Sequence, residues 1–110
     1  MQSGLSNEFD RIEQLPALRR GQELPILIHR LFEDAGYNAR RDAGAARPRD
    51  ADLYVYSPGE DFLVEVKSGD KPTDIAAISE LADRLTRTAP FVIGILISRS
   101  RFTKGAIKLV

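Results

Sequence analysis

Apolar residues fall into distinct patterns along the chain, and each pattern predicts an element. Phe9, Ile12 and Leu15 recur at helical spacing, with Ser6 or Asn7 as a cap and Pro16 as a stop. A short amphipathic packing helix is expected there. Leu24, Leu27, Ile28, Leu31 and Ala35 follow the i, i+3, i+4, i+7 spacing of a buried stripe. Pro25 is tolerated in a first turn, so this second helix is expected from about Gln22 to Ala35. Glu23 then lies in its first turn, where a carboxylate suits the helix dipole, and Gly36 stops it in the left-handed conformation. Tyr37 to Arg41 reads as a strand, followed by a loop over 42–49 that is rich in Gly, Ala and Arg.

Two branched and aromatic runs, Leu53 to Tyr56 and Phe62 to Val66, predict strands joined by a turn at Ser57-Pro58-Gly59. Ile75, Ile78, Ala82, Leu85 and Ala89 predict another helix, with Thr73 as cap and Pro90 as stop. Phe91 to Ser98 is continuously apolar, as in a strand buried on both faces within a sheet. A right-handed crossover through the preceding helix would make it the parallel neighbour of the third strand. Phe102 to Ala106 opens a last helix. The expected architecture is α/β: a single domain with a small mixed sheet, a central β-hairpin and flanking helices. Residues 1–20 are expected as a helical extension and 21–110 as the domain proper, which the apolar end at Ile107 to Val110 suggests is part of a longer protein.

The hairpin carries the chemistry. Pairing its strands antiparallel about the Pro58–Gly59 bond puts Asp52 opposite Glu65, and opposed residues share a face. Glu65 and Lys67 share that face too, because side chains alternate along a strand. Asp50 has the same parity as Asp52, but Asp52 abuts the apolar run and opposes Glu65. Two carboxylates and an ammonium at this range suit a divalent cation.

Composition narrows the choice of metal. The 110 residues contain no cysteine and one histidine, His29, which excludes disulfides, thiolate sites and multi-histidine sites within the chain. Oxygen ligands remain, and they favour magnesium, manganese or calcium. No signal peptide or membrane-spanning apolar run is present, so a cytoplasmic protein with no membrane partner is expected. Formal net charge is zero, which leaves local clusters as the only electrostatic signal. Arg40, Arg41, Arg47 and Arg49 precede the hairpin, and Arg99, Arg101 and Lys104 follow the last strand. A solvated surface explains such runs most simply.

This order of elements, with Glu23 on the first domain helix, Asp52 heading the second strand and Glu65-Val66-Lys67 in the third, resembles the PD-(D/E)xK nuclease superfamily, the restriction-endonuclease-like fold. Leu31 to Tyr37, with its Gly-Tyr exit, is similar to the Mrr-like restriction endonucleases. So are Asp52-Leu53, Ile97-Ser98 and Phe102-Thr103-Lys104-Gly105-Ala106. Archaeal-type Holliday junction resolvases share the Glu, Asp and Glu-x-Lys order. Two positions depart from the Mrr-like pattern. Ala51 stands where the superfamily's Pro-Asp pair has proline, and Glu65 stands where many Mrr-like members carry glutamine.

The resemblance implies a magnesium-dependent DNA endonuclease, with manganese as a substitute for magnesium. Asp52 and Glu65 would hold the metal, Lys67 would serve the scissile phosphate or its nucleophile, and Glu23 would bind a second metal or orient a water. The arginine clusters and Lys104 would then meet DNA phosphates. A junction resolvase and a non-cleaving DNA- or partner-binding module of the same fold are the alternatives. A homodimer, or a separate target-recognition domain, stands as an open expectation.

Overall fold

The computed structural model describes residues 2–41, 50–88 and 90–109. Helices α1 (Gln2–Glu13) and α2 (Ala17–Asp34) precede strands β1 (Asn38–Arg41), β2 (Asp50–Ser57) and β3 (Glu60–Lys67). Helix α3 (Ile75–Leu85), strand β4 (Val92–Ser98) and helix α4 (Lys104–Leu109) follow. The sheet runs in the order β1-β2-β3-β4, with β1, β2 and β3 antiparallel in turn and β4 parallel to β3. This is the expected mixed sheet with a central hairpin and flanking helices.

Local signals set the hairpin and the exit of α2. Gly59 has φ 90°, as the second central position of the Pro58-Gly59 turn requires. At the end of α2, Gly36 has φ 98°, Gly36 N–H donates to Glu33 O, and Tyr37 N–H donates to Phe32 O. These are the two bonds of a Schellman cap. Tyr37 then meets Phe32 and Phe62 edge-on, which ties the helix exit to the sheet.

The core lies between α1, α2 and one face of the sheet. Ile12, Leu24, Leu27, Leu53, Val55, Val64 and Val66 are buried together there. The opposite face, carrying Leu63, Glu65 and Gly94, is covered by α3. A Cβ on Gly94 would stand 2.6 Å from Leu85 Cδ1 and 3.3 Å from Leu81 Cδ2, so the glycine lets α3 seat closely on β4.

Tertiary packing moved several boundaries. Helix α2 starts at Ala17, not Gln22, so Pro25 is interior and Glu23 lies beyond the first turn. An interior proline costs a hydrogen bond and crowds the carbonyl four residues back, by about 3 kcal/mol. Burial of Leu24, Pro25 and Leu27 offsets that cost. Helix α3 is capped by Asp74, which accepts from Ala76 N–H, rather than by Thr73. It ends at Leu85, well before Pro90, because the Thr86 and Thr88 hydroxyls take up the Asp83 and Leu85 carbonyls. Its buried residues are Ala77 and Leu81, while Ile75 is exposed, so the expected stripe was out of phase. Strand β4 was expected inside the sheet; it lies at the edge of the described sheet, with Ile93 exposed.

Candidate active site

Strand β3 builds the site. It runs between β2 and β4, so its middle residues are shielded by neighbouring backbone on both sides. Asp52 is the register partner of Glu65, and Asp50 that of Lys67. The Asp52–Glu65 register expected from the sequence is the one observed, and Glu65 and Lys67, two residues apart on β3, share a face of the sheet.

The two charged residues of β3 sit in different environments. Glu65 has 0% of its surface exposed. Arg84, on the last turn of α3, donates from its NH1 group to Glu65 Oε1 at 3.0 Å. Lys67 is half-buried and borders an open cleft of about 750 Å³. The start of α2 (Ala17, Arg20, Gly21) forms one wall of that cleft, and the start of α3 (Ala76, Ala77) another. The segment from Ser68 to Asp74 runs between them.

That segment is pinned from below. Arg20, 6% exposed, donates to the Ser68 carbonyl at 3.2 Å and to Asp70 Oδ1 at 2.8 Å. Arg99 donates to both oxygens of Glu13, at 2.6 and 2.9 Å, and to Asp70 at 2.9 Å. The hydrogen bond that Arg99 donates to Glu13 raises the Arg99 pKa further, so it stays charged at every relevant pH. Arg99 N–H also donates to the Lys67 carbonyl at 2.8 Å. The chain just after Lys67 is thus tied to α1, α2 and the end of β4 by a single ionic network.

Other candidates lie elsewhere. Glu23 is paired with Arg11 at 2.7 Å and Arg19 at 2.8 Å, and it does not line the cleft. The Arg11 hydrogen bond in particular holds the Glu23 carboxyl below the usual carboxylate range. Arg40 pairs with Tyr54, itself opposite Leu63, and so lies on the face of Leu63 and Glu65, whereas Arg41 pairs with Leu53 and faces the α2 side. Both are exposed, as are Arg101 and Lys104. Arg47 and Arg49 lie outside the described residues.

Sequence reasoning missed Arg84 and Arg20. The signal was present: Arg84 is in phase with Ala77 and Leu81, and Arg20 with Leu24 and Leu27. A cation in phase with an apolar stripe is either buried with a partner or misplaced.

Among the described residues no three His, Cys, Asp or Glu side chains cluster as a metal site, and no helix is long and apolar enough to cross a membrane. Glu65 is an oxygen donor of the kind a hard cation takes, and Asp52 is its register partner on β2.

A restriction-endonuclease-like α/β fold, with an Asp and a Glu-x-Lys on its central hairpin, defines a nuclease domain. The family model for the catalytic domain of Mrr-type proteins, described as restriction endonuclease, matches residues 19–110, and the chain belongs to that family. No curated protein and no solved structure matches the chain.

Proposed function

We propose that the chain is a metal-dependent DNA endonuclease that hydrolyses phosphodiester bonds, of Mrr-like restriction type. The observation that carries this reading is the register pairing of Asp52 with Glu65 on the face and at the strand end where Lys67 meets the cleft. Asp52 and Glu65 are the residues that would hold magnesium, or manganese in its place. A divalent cation there would supply an acidified water and neutralise charge on the phosphoryl oxygens.

The chain's own groups do the rest. The Lys67 ammonium, at the cleft wall, stabilises negative charge on the phosphate as water adds to phosphorus and the bond to the leaving sugar oxygen breaks. Arg20 and Arg99 hold Ser68 to Asp70 in place, so the Lys67 backbone is preorganised before substrate arrives. Arg40 contacts a phosphate on the same face, and Arg101 and Lys104 extend the contact beyond β4. In this reading Glu23, paired with Arg11 and Arg19, and Arg99, paired with Glu13 and Asp70, act structurally.

The test is incubation with supercoiled plasmid and with a synthetic four-way junction, each with magnesium or EDTA. Magnesium-dependent plasmid cleavage supports the proposal. Preferential junction cleavage supports a resolvase, to which Glu65 in place of glutamine is similar. Binding with no cleavage of either substrate supports a non-cleaving module.

A further inference from the structure

We propose that Arg84 is a built-in counter-ion for Glu65, occupying its carboxylate in the metal-free domain and giving way when a divalent cation binds. This rests on Glu65 being a metal ligand, as argued under Proposed function.

The argument starts from burial. Glu65 is fully enclosed on the middle strand, and an ionised carboxylate is not tolerated there without opposite charge. Arg84 supplies it directly, with NH1 at 3.0 Å from Oε1. The two partners differ in exposure: the Glu65 side chain is 1% exposed and the Arg84 side chain 24%. Arg84 is therefore the member of the pair that reaches solvent, while Glu65 is enclosed. Arg84 also lies near the end of α3. The helix stops one residue later, and a cation is well placed beside the last carbonyls whether or not it contacts Glu65.

A guanidinium on Oε1 and a divalent cation on either oxygen of the same carboxylate stand only a few ångströms apart and repel each other. Each must weaken the other. The pair thus keeps the hairpin intact without metal and sets a threshold that metal binding must overcome. Arg84 is a positioning residue in this account, acting through Glu65.

The experiment uses the full chain with Arg84→Gln, Arg84→Lys and Glu65→Gln, titrated with MnCl2 by calorimetry and melted in EDTA and in MnCl2. Arg84→Gln should bind manganese about tenfold more tightly than wild type, since a full positive charge has left the site. It should also melt lower in EDTA and gain more in melting temperature from manganese. Arg84→Lys, which keeps the charge, should lie close to wild type. As a readout independent of any variant's folding, the Arg84 side-chain Nε–H resonance of the wild type should shift toward solvent-exposed values on MgCl2 titration. Loss of manganese binding in Glu65→Gln, together with unchanged or weaker binding in Arg84→Gln and a stationary Arg84 resonance, would overturn the role given to Arg84 alone. Equal manganese binding by wild type and Glu65→Gln would overturn the metal assignment itself, and the Arg84 proposal with it.

Discussion

Glu65 and Lys67 stand two residues apart on one face of β3, yet Glu65 is sealed beneath α3 while Lys67 borders the open cleft. The alternation of the strand gives them a common face, and the end of α3 divides their environments. Substitutions at the two positions should therefore differ in kind.

Lys67→Ala should leave the fold and DNA binding nearly intact, because most affinity comes from other phosphate contacts. Single-turnover cleavage with magnesium should fall at least about a hundredfold, as when one preorganised charge-stabilising group is lost. Lys67→Arg should not rescue it, since a planar guanidinium does not reproduce a compact ammonium. Equal cleavage rates in all three proteins would reduce Lys67 to a surface cation.

Glu65→Gln should lose cleavage and also lose stability, by about 2 kcal/mol, because the charged hydrogen bond between Arg84 and Glu65 becomes one to a neutral amide. Urea unfolding without metal measures the cost. Asp52→Asn should lose metal binding as well, and a calorimetric titration that matched wild type in both variants would remove the site from the hairpin.

Phosphate contact should follow strand parity. Arg40→Gln should flatten the plot of log K against log salt by about 0.9 on duplex DNA, as expected for one lost contact. Arg41→Gln, on the opposite face of β1, should leave the slope unchanged. A reversed pattern would move the DNA to the α2 side of the sheet. Arg99→Ala should also leave the slope alone but cost about 1–2 kcal/mol of stability, from the lost bidentate pair with Glu13 and the contact with Asp70.

The contact between α1 and α2 should weaken in acid. The Glu23 carboxyl is held below its ordinary range, chiefly by the Arg11 hydrogen bond. A depressed acid contributes stability that is present above its unfolded value, about 4.3, and lost as pH falls through the folded value. Glu23→Gln should therefore lower the urea midpoint at pH 7, and the difference from wild type should shrink through pH 4 toward 3. A gap that stays constant with pH would mean that the pair contributes through packing alone.

The sequence by itself determined the hairpin, its Asp52–Glu65 register and the Gly36 stop of α2, because each depends on residues close along the chain and on backbone conformations that Pro58, Gly59 and Gly36 favour. The parallel pairing of β4 with β3 was legible for a similar reason, since an intervening helix requires it. Only the tertiary structure decided which face of α3 is buried, how far upstream of Pro25 α2 begins, and that β4 lies at the edge of the described sheet. Those outcomes turn on which element approaches which, and periodicity within one segment cannot rank competing partners of similar hydrophobicity. The placement of Arg84 on Glu65 and of Arg20 under Ser68 follows from the same cause: a buried charge takes its partner from whatever element packs against it, here 19 and 48 residues away.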